Sequence, residues 1–139
     1  MPFILAAVLW LGCVTSAIAS PVSLTDIYIN PEGKHLSEAV ILYNSQNPCE
    51  NCNKTIDMII NVLRTNYHHK LRAYMVDISK EPQFASAFHT DAPLTFVIIR
   101  ISDGAAFGYE KLTGLQSQIA DSQAFNRHII KFINNFLGF

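Results

Sequence analysis

The stretch Cys49-Glu50-Asn51-Cys52 lies between a short apolar run, residues 39–43, and a segment of helical periodicity that starts near Thr55. A Cys-x-x-Cys pair at the start of a helix points its first sulfur toward backbone N–H groups that lack a helical partner, and toward the positive end of the helix dipole. Both features favour the thiolate, which is the reactive form of cysteine. The placement therefore predicts a redox-active dithiol or disulfide.

Length and charge leave room for one domain and argue against a nucleic-acid partner. The chain has 139 residues, of which 50% are hydrophobic, and a formal net charge of -1. This apolar content is ample for one core, and no stripe of Lys and Arg offers the basic surface that nucleic-acid binding needs. We expect one folded domain and no binding to nucleic acid.

The first 19 residues have the character of a signal peptide. Residues 2–19 carry no charged side chain and are mostly apolar, and they end in Ala17-Ile18-Ala19, a small-x-small cleavage pattern. We expect cleavage after Ala19, which leaves a domain over residues 20–139. Because only the amino terminus supplies positive charge ahead of the apolar run, an uncleaved anchor is the alternative. Contact with a membrane is expected in that case alone.

Removal of the leader would also remove Cys13 and leave the mature chain with Cys49 and Cys52. A secretory compartment is oxidising, so the two can form a disulfide for which no other cysteine competes. A disulfide that only fastens the helix start is an alternative to a redox-active one. Cross-linking so short a loop gains little chain entropy, which weakens that alternative.

The hydrophobic pattern predicts strands that alternate with helices, as in α/β proteins. Residues 39–43 form a continuous apolar run, which is typical of a central strand buried on both faces. The strand, helix and strand around the cysteines favour parallel pairing. Predicted strands cover residues 26–29, 39–43, 72–78, 94–101 and 107–112; predicted helices cover the segment from Thr55 to Tyr67, residues 81–88 and the tail from residue 118; turns are predicted at residues 30–33 and 102–104.

This order of parts, with Ala92-Pro93 directly before a strand, resembles the thioredoxin-like superfamily over roughly residues 39–136. The resemblance implies a central mixed β-sheet flanked by helices. It also implies a cis peptide bond before Pro93, opposite the disulfide, and a backbone edge at Ala92 that pairs with an extended client peptide. Cys49, nearer the helix start and the surface, is then the nucleophile, and Cys52 is the resolving thiol.

Two departures from that family predict a moderate redox character. The usual Trp-Cys-Gly-Pro-Cys sequence is replaced by Pro48-Cys49-Glu50-Asn51-Cys52, and the buried acid found six residues before the first cysteine is replaced by Tyr43. Tyr43 offers no base for Cys52. The Glu50 carboxylate should raise the pKa of the Cys49 thiol and offset part of the effect of the helix dipole. We expect neither a strong oxidant nor a fast reductant.

A metal site is a weaker alternative. It would combine the cysteine pair with histidines, but four ligands at recognisable spacings are normal for zinc, and only the cysteines have such a spacing. His68 and His69 are better placed to cap the end of the helix that carries the cysteines. We expect no metal and no other cofactor. The five histidines are His35, His68, His69, His89 and His128.

Within the superfamily, residues 72–78, 84–88 and 91–96 resemble the lumenal domain of the Ost3/Ost6 family of oligosaccharyltransferase subunits. That resemblance implies the endoplasmic reticulum lumen, association with the oligosaccharyltransferase complex, and capture of cysteine-containing glycoprotein substrates as mixed disulfides. Those subunits continue into transmembrane helices, whereas this sequence ends at Phe139. A free-standing oxidoreductase of the secretory pathway or of a bacterial periplasm, and a non-catalytic peptide-binding module with a structural disulfide, are the alternatives.

Overall fold

The computed structural model describes residues 36–139 except residues 69, 103 and 104. The predicted signal peptide over residues 1–19, the strand over residues 26–29 and the turn over residues 30–33 lie outside the described residues. So do His35, His69 and most of the turn over residues 102–104. These assignments stay predictions.

Four strands form one mixed sheet. Its strands are β1 (Ser37–Tyr43), β2 (Leu71–Asp77), β3 (Leu94–Ser102) and β4 (Ala105–Thr113). Their order across the sheet is β2-β1-β3-β4. Strand β1 pairs with β2 in parallel and with β3 antiparallel, and β3 pairs antiparallel with β4. The α/β class, the central position of β1 and the parallel β1–β2 pair are confirmed.

Three α-helices and a short 3-10 turn complete the described chain: α1 (Cys52–Asn66), α2 (Pro82–Ala87), the 3-10 turn (Leu115–Ser117) and α3 (Ser122–Leu137). Helix α1 begins three residues before Thr55, at the second cysteine. Helix α3 begins at Ser122 rather than at residue 118, because the Asp121 side chain accepts the backbone N–H groups of Gln123 and Ala124 and so caps the helix there.

The sheet separates two apolar cores, which explains the continuous apolar character of β1. Successive side chains of a strand point to opposite faces. Ala39 and Ile41 pack on the face covered by α1 and α3, whereas Val40 and Leu42 pack on the face covered by α2. All four side chains are at most 1% exposed. Burial on both faces favours β-branched and aliphatic residues at every position and so removes the alternation of a half-exposed strand.

The strand register collects the residues of interest at one end of the sheet. Tyr43, the last residue of β1, pairs with Asp77 at the end of β2 and with Leu94 at the start of β3. The loop that carries Cys49, the segment after β2 and the Ala92-Pro93 dipeptide therefore all leave the sheet at this end.

None of the helices within the described ranges combines the length and the apolar character that crossing a bilayer requires.

Candidate active site

Cys49 and Cys52 are joined by a disulfide, with their Cα atoms 5.2 Å apart. The backbone N–H of Cys52 donates to the carbonyl oxygen of Cys49 over 3.2 Å, which closes the turn between them. Cys49 is partly exposed, whereas Cys52 is 5% exposed and belongs to the core beneath α1. The predicted difference in exposure between the two cysteines is confirmed.

The disulfide lies at the amino-terminal end of α1, although Cys49 itself precedes the helix. Asn51 holds the N-cap position without a side-chain hydrogen bond, and the first turn contains no acidic residue. No carboxylate within this turn therefore neutralises the positive end of the helix dipole, which favours a thiolate formed beside it. Glu50 is exposed just before the helix, and its predicted opposing effect on Cys49 stays a prediction.

Thr55 fixes the first turn of α1. Its backbone N–H and its hydroxyl both donate to the carbonyl oxygen of Asn51, over 2.9 and 2.7 Å. The Thr55 side chain is fully buried, as is that of Ile59 one turn further on. Packing of this face on the sheet holds the helix start, and with it Cys52, in place.

The Ala92–Pro93 peptide bond is trans, so the predicted cis bond is wrong: the described residues contain no cis peptide bond. Trans is the lower-energy state of an X–Pro bond by about 0.5–1 kcal/mol, and only the surrounding fold can reverse that preference. Here the chain enters β3 through a turn in which the N–H of Ala92 donates to the Thr90 hydroxyl over 3.2 Å. Ala92 and Pro93 are both partly exposed.

Two side chains hold the segment before β3. The Thr90 hydroxyl lies 2.8 Å from the hydroxyl of Thr95, whose side chain is fully buried. The Lys111 ammonium donates to the carbonyl oxygens of Phe88 and His89. His89 has a φ of 53°, an uncommon value for a residue other than glycine. The segment is thus tied to both β3 and β4.

Tyr43 and Asp77 pair in register at the end of the sheet from which the cysteine loop leaves, and of the two only Tyr43 was singled out from the sequence. Burial, and then the negative charge of Asp77, raises the pKa of the Tyr43 phenol above its ordinary value. Tyr43 therefore stays protonated at neutral pH and cannot act as a base. Asp77 was missed because it appeared only as the polar residue near the end of a predicted strand. The signal that could have revealed Asp77 is its place at the end of one of two parallel strands. A serine, Ser45 or Ser79, follows shortly after each of these strands.

Histidines do not complete a metal site around the cysteines within the described ranges. No group of three or more His, Cys, Asp or Glu side chains there could hold a metal ion. His68, His89 and His128 are all exposed.

Comparison with solved structures identifies the fold, while no family model matches and no curated protein matches significantly. ERdj5 in its form II matches with a TM-score of 0.57 and 14% identity, over 84% of this chain and 14% of that chain. A yeast structure from work on thiol resolution in a mitochondrial 1-Cys peroxiredoxin matches with a TM-score of 0.54 and 19% identity, over 80% and 92% of the two chains.

Thioredoxin from Malassezia sympodialis is similar as well, with a TM-score of 0.51 and 19% identity over 73% of this chain and 78% of that chain. At such identities the likeness concerns the fold. Together with the sheet order and the position of the disulfide, it shows that this chain has a thioredoxin-like fold with its Cys49–Cys52 pair at bonding distance.

Proposed function

We propose that this chain is a thiol–disulfide oxidoreductase of the secretory pathway that exchanges disulfides with extended, cysteine-containing client polypeptides. The observation that carries the proposal is the Cys49–Cys52 disulfide at the start of α1, with Cys49 accessible and Cys52 buried. This asymmetry suits exchange, because the accessible sulfur can meet a client while the buried one reacts only within the protein.

Exchange proceeds in two steps. In the reduced protein, the Cys49 thiolate attacks one sulfur of a client disulfide, whose S–S bond breaks as a mixed disulfide forms and one client thiolate leaves. The Cys52 thiolate then attacks the Cys49 sulfur, the mixed disulfide breaks, and the second client thiolate leaves. The Cys49–Cys52 bond forms and two electrons pass to the client. The reverse sequence oxidises a client dithiol.

The backbone edge at Ala92 and Pro93 is proposed as the place where the client chain docks by strand addition. Its position is supported by the pairing of Leu94 with Tyr43, which puts the start of β3 at the same end of the sheet as the cysteine loop. In the structure the N–H of Ala92 donates to Thr90. A client carbonyl that used this N–H would have to replace the Thr90 hydroxyl.

The resemblance to the Ost3/Ost6 family supports a more specific role, in which the chain holds glycoprotein precursors for N-glycosylation beside the oligosaccharyltransferase complex. The proposed compartment is then the lumen of the endoplasmic reticulum, reached by the signal peptide over residues 1–19. A general oxidoreductase of the secretory pathway, or of a bacterial periplasm, would share the chemistry but differ in its clients.

A Cys52→Ala variant tests the proposed exchange and its clients together. Without the resolving thiol, mixed disulfides on Cys49 should accumulate, because only an external thiol can release them. The full chain is expressed in the secretory pathway of a eukaryotic cell, free thiols are blocked on lysis, and the disulfide-linked partners are identified by mass spectrometry.

The matched control is the Cys49→Ala/Cys52→Ala double variant, which should trap nothing. Sequon-bearing glycoproteins and oligosaccharyltransferase subunits among the partners would support the glycosylation role, and a broad set of secreted proteins would support a general oxidoreductase. Equal recovery of partners from the two variants would contradict exchange through Cys49.

A non-catalytic peptide-binding module with a structural disulfide is the second candidate. It is favoured by the burial of Cys52 among the core residues that hold α1, since the disulfide then also fastens the helix to the loop before it. Such a module would bind extended chains at the Ala92 edge without forming mixed disulfides.

A further inference from the structure

Asp77 is a buried acid next to the loop that carries Cys49. It is the last residue of β2, is 6% exposed, and pairs in register with Tyr43 at the end of β1. Leu71 and Ala73 of the same strand pack in the core beneath α1. By the alternation of a strand, the Asp77 side chain lies on this face too, the face that carries the helix with the disulfide.

One carboxylate oxygen of Asp77 accepts three hydrogen bonds from two loops. Oδ1 accepts the backbone N–H of Ser45 at 3.1 Å, the backbone N–H of Ser79 at 3.0 Å and the Ser79 hydroxyl at 2.7 Å. The hydroxyls of Ser45 and Ser79 lie 3.1 Å apart, and the N–H of Ile78 donates to the carbonyl oxygen of Tyr43 over 2.8 Å. The segment after β2 and the cysteine loop are thereby joined.

These bonds anchor the part of the loop that precedes Cys49. Its other hydrogen bonds are local: the N–H groups of Gln46 and Asn47 donate to the side chain and the carbonyl oxygen of Asn44. Across the described ranges, residues 44–50 are tied by hydrogen bonds to a distant part of the chain only through Ser45, which meets Asp77 and Ser79.

Asp77 acts as a fixed acceptor rather than as a base. Burial alone would raise the pKa of its carboxyl, but the hydrogen bonds from Ser45 and Ser79 outweigh burial and lower that pKa below its ordinary value. The carboxylate thus remains ionised at neutral pH, where it accepts hydrogen bonds and takes up no proton.

We propose that Asp77 is a positioning residue for the disulfide exchange, which holds the Cys49 loop so that Cys52 can attack the Cys49 sulfur. This inference rests on the proposed function and assigns a further residue to it. The attack is intramolecular, so its rate and its equilibrium depend on how well the two sulfurs are held together. Asp77 acts on them through Ser45, four residues before Cys49.

The test is the equilibrium of the Cys49–Cys52 pair with glutathione in the folded protein, measured for Asp77→Asn and Asp77→Ala. Both variants should favour the dithiol more than the wild type does. We expect the equilibrium constant for disulfide formation to fall by about three- to tenfold in Asp77→Ala. The fall should be smaller in Asp77→Asn, which keeps a neutral acceptor oxygen.

Asp121→Ala is the matched control. Asp121 also accepts two backbone N–H groups, but at the start of α3. Its loss should weaken the fold without changing the equilibrium with glutathione, since a purely structural effect destabilises the oxidised and reduced forms alike. Circular dichroism identifies the variants that are folded, and Asp77→Asn supplies the test should Asp77→Ala unfold.

A folded Asp77→Asn or Asp77→Ala with the wild-type equilibrium constant would overturn the inference, and so would an equal change in Asp121→Ala. Failure of the proposed function would be seen in a different experiment, the trapping of clients by Cys52→Ala. The glutathione equilibrium is defined whether or not the protein exchanges disulfides with clients, whereas the trap with Cys52→Ala reports on clients alone.

Discussion

Cys49→Ser should lower the rate of disulfide exchange with a protein client at least about a hundredfold, because it removes the accessible nucleophile. Cys52 cannot take over, since its side chain is 5% exposed and lies in the core beneath α1. The measurement is the rate at which the reduced protein reacts with the disulfide reagent DTNB, followed by turnover with a disulfide-bonded client.

Cys52→Ser is the control for this prediction, because it keeps the Cys49 thiol. It should react with DTNB at a rate close to that of the wild type and then stop after one equivalent. Cys49→Ser should react at least about tenfold more slowly, as a buried thiol does. Equal rates for the two single variants would show that the sulfurs are equally accessible and would remove the basis for assigning the nucleophile.

Glu38 is a buried acid at the start of β1, on the sheet face opposite the disulfide. It is fully buried, and it pairs in register with Arg72 on β2 and with Ile99 on β3. Burial raises the pKa of the Glu38 carboxyl to about 8, although the charge of Arg72 and a hydrogen bond with Tyr74 partly oppose the change. The folded protein therefore carries Glu38 protonated at neutral pH.

This burial should make the protein less stable as the pH rises. In the unfolded chain the carboxyl ionises near its ordinary pKa of 4.5, so between there and about 8 the folded state binds one proton more than the unfolded state. Stability is greatest below 4.5 and falls through this window. Glu38→Gln removes the ionisation and should stabilise the protein by roughly 3 kcal/mol at neutral pH, with little difference near pH 4.

Urea denaturation at several pH values, for the wild type and for Glu38→Gln, measures this difference. Glu110→Gln is the control, because it makes the same chemical change at a residue that is exposed on β4 and should not reproduce the gain in stability at neutral pH. If the free-energy difference between wild type and Glu38→Gln were the same across the range, Glu38 would ionise as an ordinary exposed acid and the prediction would be wrong.

The sequence predicted the elements that burial determines. Residues 39–43 and 94–101 are apolar at almost every position, because β1 and β3 are interior strands covered on both faces. The cysteine spacing predicted the disulfide and the more accessible Cys49 for a local reason, since Cys52 begins the helix and its N–H closes a short turn onto the carbonyl oxygen of Cys49. Local patterns of this kind need no knowledge of the tertiary fold.

Features that depend on contacts between residues far apart in the chain could not be predicted from the sequence. Asp77 meets Ser45 across 32 positions of the chain, and short polar side chains carry no periodic pattern that would connect them. Glu38 precedes the apolar run of residues 39–43 and lies outside the strand predicted from it, yet it is fully buried. The trans bond before Pro93 could not be predicted either, because the two isomers differ by so little that the surrounding fold decides between them.

The starts and ends of the elements were imprecise for a similar reason. Leu115 is 1% exposed in a 3-10 turn that the sequence pattern did not predict, and this turn follows Gly114, whose φ is 76°. Helix α3 then begins only after its N-cap residue, Asp121. A cap and a glycine in the left-handed region are recognisable in retrospect, but each is compatible with several neighbouring boundaries.

The reduction potential of the Cys49–Cys52 pair tests the proposed reversible exchange most directly. It is measured by equilibrating the purified chain over residues 20–139 in glutathione buffers, alkylating the free thiols, and quantifying the oxidised and reduced forms by mass spectrometry. A value between about -270 and -120 mV, the range of exchange catalysts, is the predicted result. A value below about -300 mV, which is typical of structural disulfides, would contradict it and favour the non-catalytic binding module.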